Sequence, residues 1–352
     1  MADSRIARTT SHARTERRAA ALIAGSLLAA CGANHRTSPS ETPAASDGGA
    51  AEASRARAAP TALGVTADWL DHRLTVFDFG ALVGGATSRD AVLVGEVDLS
   101  SYTQGPLELK ITPDGKTAIV SVSPGFFTVP GSNALVGASS IPTGPSKELL
   151  VNLATRAIDA ELDVGDGPSG IALTGDGART FAVADMRGTL SAPINLGSDA
   201  AGVPFFPGTK TAYVVLAYNP LTSPTSGYAL IDASGPNAPV LVKKTAFTDA
   251  TYVNFQAIAA PARGTVLVPI STGGELSIRE YALGASDVVL KDTFDVGPVQ
   301  GMGAFGTTVD PAGHAVVTLP ADKKLAVLDL NTRRTFTVPW ASQPGPLGID
   351  RH

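Results

Sequence analysis

The sequence predicts an all-β domain built from a repeated unit and closed on itself as a ring. Three observations carry this reading. Short apolar runs alternate with turn residues over residues 61–352, a two-part unit recurs along that stretch, and an orphan strand stands at each end of it.

The first part of the unit is a Gly/Pro entry, an apolar strand, a tight turn and a second apolar strand. It reads Gly105-Pro106-Leu107, Thr112-Pro113-Asp114-Gly115-Lys116 and Thr117-Ala118-Ile119-Val120. It recurs as Pro168-Ser169-Gly170-Ile171, Thr174-Gly175-Asp176-Gly177 and Thr180-Phe181-Ala182-Val183. Further turns stand at Phe206-Pro207-Gly208-Thr209-Lys210, Ala260-Pro261-Ala262-Arg263-Gly264 and Asp310-Pro311-Ala312-Gly313-His314. Asp-Gly and Pro-x-Gly supply the backbone angles that tight hairpins need. The second part is an aliphatic strand closing on an acid or amide, around Asp78, Asn152, Asp232, Glu280 and Asp329.

This unit resembles the YVTN-type β-propeller repeat, with Thr112 to Val120 matching most closely and Val327 to Arg334 matching a second half. The resemblance implies a β-propeller of four-stranded antiparallel blades. Five complete units and one shared between the ends give an expectation of six blades, and the irregular spacing leaves room for a seventh. The orphan strands support closure. Pro344 to Ile349 reads as a first strand with no blade after it, and Ala62 to Ala67 as a second strand lacking its first. Joining them removes two unpaired edges, so the first blade is expected to be completed by the C-terminal strand.

The N-terminal region is a separate matter. Arg5, Arg8, Arg14, Arg17 and Arg18 precede an uncharged run from Ala19 to Ala30, too short to span a bilayer. Leu28-Ala29-Ala30-Cys31 resembles the lipobox of bacterial lipoproteins, which implies cleavage between Ala30 and Cys31 and a lipid on the only cysteine. Several acyl chains anchor a protein stably. Gly32 after the cysteine leans toward the outer membrane of a Gram-negative envelope. The chain from Gly32 to Pro60 has no Leu, Ile, Val, Met or aromatic residue and reads as a disordered tether. The expected organisation is therefore a signal peptide at 1–30, a tether at 31–60 and the propeller at 61–352.

Removing residues 1–30 takes away five arginines and two acids, leaving 22 basic and 30 acidic residues, a net −8 with His neutral. That balance argues against nucleic acid, and against anionic lipid, as the main partner of the folded part. A lone cysteine excludes internal disulfides and CxxC redox chemistry. In a propeller, turns between first and second strands share a face with those between third and fourth. The long segments Ser123–Lys147 and Tyr218–Gly227 then fall on the opposite face, with Phe126, Phe127, Tyr218 and Asn219 as candidate contacts for a protein or glycan ligand.

His72, His314 and His352 are placed on different ends and form no three-histidine site. Asp114, Asp176 and Asp310 are explained by turn chemistry better than by calcium. No GxSxG, HExxH or Walker pattern occurs, and no metal or cofactor is expected. The leading expectation is a monomeric, non-enzymatic binding scaffold. The alternative is an extracytoplasmic propeller enzyme, such as a lactonase or quinone-dependent dehydrogenase.

Overall fold

A computed structural model describes residues 60, 62–68, 71–102, 105–122, 145–166, 170–173, 180–183, 199–200, 204–217, 226–234, 240–247, 252–253, 257–300 and 303–349. Strands β1 (Leu63–Asp68), β2 (Arg73–Asp78) and β3 (Leu93–Asp98) open the domain, with helices α1 (Phe79–Val83) and α2 (Arg89–Val92) between β2 and β3. Blade two follows as β4 (Pro106–Ile111), β5 (Thr117–Val122), β6 (Pro145–Asn152) and β7 (Ile158–Asp166). A hairpin of β8 (Gly170–Leu173) and β9 (Thr180–Val183) comes next.

Blade three is β10 (Asp199–Ala200), β11 (Thr211–Ala217), β12 (Gly227–Asp232) and β13 (Val240–Ala246). Blade four has a split inner strand, β14 (Tyr252–Val253) and β15 (Ile258–Ala260). Both pair with β16 (Thr265–Thr272), followed by β17 (Glu275–Leu283) and β18 (Val288–Pro298). Blade five is β19 (Thr307–Val309), β20 (His314–Leu319), β21 (Lys324–Asp329) and β22 (Arg334–Pro339). The last strand, β23 (Leu347–Ile349), returns to pair with β1 through Gly64↔Ile349, Val65↔Gly348 and Thr66↔Leu347.

The ring is thus a β-propeller whose first blade, in the order β23-β1-β2-β3, is closed by the C-terminal strand. The count differs from expectation: among the described residues five four-stranded blades form, not six or seven. The unit at Pro168–Val183 contributes only the two-stranded sheet β8–β9, which packs on β4 and β5 of blade two. Among the described residues this unit shows its Gly/Pro hairpin and no further strand.

The acids and amides of the second element explain themselves locally. Asp78 Oδ1 accepts from the Ala81 amide and starts α1. Asn152 Oδ1 accepts from the amides of Ala154 and Thr155, Asp232 Oδ1 from Ser234, and Asp329 Oδ1 from Asn331 and Thr332. Each side chain ends a third strand by capping the connection to the fourth. Glu280 departs from this role and instead binds Arg263.

Packing follows from the stacking of blades face to face. Second strands are apolar on both sides because both sides are covered: β16 is buried from Thr265 to Ser271. The core therefore lies between blades. Val65 and Leu74 meet Leu109 and Leu149 between blades one and two, and Tyr213 and Tyr228 meet Val266 and Tyr281 between blades three and four. Fourth strands face outward, and β13 is largely exposed.

Candidate functional site

Antiparallel order fixes two faces. The end bearing the first-to-second and third-to-fourth turns is called the turn face here, and the other the loop face. Thr112-Pro113-Asp114-Gly115 makes a tight turn closed by Gly115 N–H to Thr112 O, with Gly115 at φ 68. Asp114 Oδ1 accepts from Thr112 Oγ1 at 2.7 Å, and that bond holds its carboxyl below the usual range. Asp310 does similar work, accepting from the His314 amide at 2.7 Å and lying 2.8 Å from His314 Nδ1. His72 is on the loop face, between β1 and β2, with Nδ1 2.9 Å from Tyr102 O. His72 and His314 are therefore apart, and no group of three or more metal-ligating residues occurs among the described residues.

Ala30, Cys31, Phe126, Phe127, Asp176, Tyr218, Asn219 and His352 lie outside the described residues. Their flanks are placed, however. Residues 123–144 join β5 to β6, and residues 218–225 join β11 to β12. Both connections leave a second strand and enter a third, which puts their ends on the loop face of blades two and three.

Two buried carboxyls on the loop-face side were not singled out from sequence. Asp68 is fully buried at the end of β1 and takes hydrogen bonds from Thr66 Oγ1 (2.9 Å), Thr75 Oγ1 (2.7 Å) and Ser342 Oγ (2.6 Å). Burial pushes its carboxyl up to about 6 despite the three hydroxyls, with nearby Asp71 adding a smaller push. Ser342 lies 274 positions away in sequence, so no local pattern announces the contact. Glu148, buried on β6, accepts from Ser121 Oγ at 2.5 Å, while its Oε2 has no partner among the described residues. Burial raises this carboxyl as well. The only local signal is an acid inside an otherwise apolar strand.

Glu280 on the turn-face side is different. Burial would raise it, but Arg263 binds it with Nε at 2.8 Å and Nη2 at 2.9 Å and Thr265 Oγ1 donates at 2.8 Å, so its pKa falls. A carboxylate engaged in this way orders the turn.

An open groove of about 380 Å³ lies between blades three and four on the turn face. Lys210, Leu230, Asp232 and Val242 line it from blade three, and Leu283 and Ser286 from blade four. Beside it Asp287 receives Lys243 Nζ and Tyr228 Oη, tying the last turn of blade four to the outer strand of blade three.

No protein-family model matches the sequence, and no curated protein matches it. Solved structures are similar only at low identity. The β-propeller domain of Myceliophteria thermophila Cps50 (Swd1) has a TM-score of 0.42 and 9% identity, over 80% of this chain and 86% of that one. Apo AztD from Citrobacter koseri has a TM-score of 0.38 and 12% identity, over 83% and 99%. A chain of a nidogen/laminin complex has a TM-score of 0.47 and 9% identity, over 82% and 98%. The assignment stands on the sheet order and closure of the chain itself: it is a β-propeller, with five four-stranded blades among the described residues.

Proposed function

We propose that the chain is a bacterial envelope lipoprotein whose β-propeller is a rigid binding scaffold, held at a membrane by lipid on Cys31. The observation behind the binding role is the placement of the connections from second to third strand in blades two and three. Both leave a second strand for a third, so a closed ring of sheets presents them on one face. Phe126, Phe127, Tyr218 and Asn219 are the proposed contacts, for a protein or glycan partner. The anchor is supported by Leu28-Ala29-Ala30-Cys31, by the uncharged run before it and by the apolar-poor segment after it. An outer-membrane location follows from Gly32 if the envelope is Gram-negative.

Two measurements test the proposal. In cells, Cys31→Ala should release the chain from membranes; complete retention would refute the anchor. In pull-downs from envelope extract, the full chain should recover partners that a variant lacking residues 124–143 does not. That deletion spares β5 and β6, and equal recovery by both proteins would remove the loop-face role.

A further inference from the structure

Large exposed apolar side chains are rare on this domain, and they are not scattered. Among the described residues seven stand out, and five of them are Val240, Leu241, Val242, Val289 and Leu290. Val240 is 63% exposed and Val289 52%. All five lie at the starts of β13 and β18, the outer strands of adjacent blades. Both strands start at the turn face, so one corner of the rim carries the whole set. The turn of blade four that precedes Val289 is fixed to β13 through Asp287 and Lys243, and Val242 lines the groove between the blades. Apolar surface concentrated in this way marks an interaction site on an otherwise polar monomer.

The same corner gathers positive charge. Lys210, Lys243, Lys244 and Lys291 are four of the nine lysines in the chain, and all four are exposed. Asp232, Asp287 and Asp292 are the acids set among them; Asp287 is paired with Lys243 and Asp292 with Arg333. The overall negative charge read from composition therefore hides a local excess of cations. At about 0.1 M salt, charges more than about 10 Å away are screened, so the corner and not the whole domain decides what it meets. Aliphatic side chains rimmed by lysines match the boundary between phospholipid headgroups and acyl chains: the aliphatics enter it and the ammonium groups stay at the phosphates.

The path of the chain favours the same partner. β1 begins at Leu63 on the turn face, the face that carries the corner, and 29 positions separate Pro60 from Cys31. With Cys31 lipidated, the chain would enter the domain from the bilayer on the turn-face side.

We infer that the rim corner formed by β13 and β18 docks on an anionic phospholipid bilayer, orienting the propeller with its loop face toward the exterior. This rests on the proposed anchoring, but its test does not use the lipid. The full chain carrying Cys31→Ala is floated with phosphatidylglycerol vesicles and with phosphatidylcholine vesicles. It is compared with the same chain also carrying Leu241→Asp and Leu290→Asp, and with one carrying Lys210→Glu and Lys291→Glu. Any contribution of residues 1–30, with their five arginines, is common to all three.

The expected result is about a tenfold or greater loss of binding to anionic vesicles for the apolar pair, with unchanged circular dichroism. The lysine pair should lose binding to anionic vesicles and not to neutral ones. Equal flotation of parent and apolar variant would overturn the inference. So would an apolar variant that changes sedimentation and not flotation, which would assign the corner to a second copy of the chain. Failure of the anchor shows separately, as membrane retention of Cys31→Ala in cells.

Discussion

Arg333 Nη1 lies 2.9 and 2.7 Å from the two carboxylate oxygens of Asp292, across the boundary between blades five and four. Arg333 Nη2 donates to Thr293 O at 2.9 Å, and the guanidinium covers the Phe294 ring at 5.4 Å. Blade two repeats the device. Asn152-Leu153-Ala154-Thr155-Arg156 corresponds to Asp329-Leu330-Asn331-Thr332-Arg333, and both arginines have a left-handed backbone, φ 61 and 62. Arg156 crosses to the outer strand of blade one, where a Cβ built on Gly95 would lie 2.6 Å from its Cδ.

The arginine that ends the repeat is therefore an inter-blade clamp. Arg333→Ala should lower Tm by about 2–4 °C, and Arg333→Lys should not restore it, because a lysine lacks the planar fork. Arg333→Ala and Arg156→Ala should add, since they act at separate boundaries. Thermal melts of the singles and the double decide both points.

Ser342 holds the segment before β23 to the buried Asp68 carboxyl. Ser342→Ala removes one of three donors and should cost about 1.5–3 kcal/mol in denaturant unfolding, the range for a hydrogen bond to a charged group.

Asp68 also sets a slope in stability against pH. Its folded pKa is raised, from 3.8 to about 6, so the folded state holds the proton more tightly than the unfolded one. The contribution is complete below about 3.8 and is lost as pH rises through 6, a loss of about 3 kcal/mol at most. Asp329, pushed down to about 2 first by the Thr332 hydroxyl, acts in the opposite sense and withdraws stability as pH falls below its ordinary value. Asp68→Asn should flatten the stability profile between pH 4 and 6. An unchanged slope would place the titration elsewhere.

Tyr213 is fully buried, stacked on Tyr228 at 5.1 Å and on Tyr281 at 5.8 Å, and its hydroxyl has no partner among the described residues. The ring contributes packing while the hydroxyl is desolvated without return. Tyr213→Phe should therefore stabilise the protein by about 1–2 kcal/mol, read from the denaturant midpoint.

Gly306 marks where the inner strands of blades five and one approach most closely. A Cβ there would lie 2.7 Å from Gly345 O and 2.8 Å from the Leu347 nitrogen, and Thr318 Oγ1 donates to Gly345 O at 2.8 Å beside it. Backbone on both sides has nowhere to move. Gly306→Ala should cost about 1–3 kcal/mol, whereas Gly313→Ala would act through its positive φ as well as through a Cβ 2.9 Å from Asn331 Nδ2.

The repeat was legible because it is local. Asp78, Asn152, Asp232 and Asp329 each cap a connection that only a complete blade contains, so these markers, together with the strand around Glu280, number the blades correctly at five. Counting five such turns and adding the blade shared between the ends gives six, because a turn needs only a hairpin and Pro168–Val183 makes one. The loop-face connections could be located from the same units. Asp68 could not, since its third donor comes from the far end of the fold. Nor could the rim corner: Val240-Leu241-Val242 reads like any buried strand, and only its position as an outer strand leaves it bare. The four lysines come from three blade elements, far enough apart in sequence that no charge run announces them.

Closure by β23 has a consequence for how the chain is made. The residues that complete blade one are spaced 281 to 285 positions from those they pair with, Thr66↔Leu347 and Gly64↔Ile349. Closing so long a span adds little to the entropy cost, but it delays the event. During synthesis, β1 presents an unpaired edge until residues 347–349 have emerged. A chain stopped short of them keeps that edge open, ready for mispairing or proteolysis, so the last strand acts as a completeness check on the nascent protein.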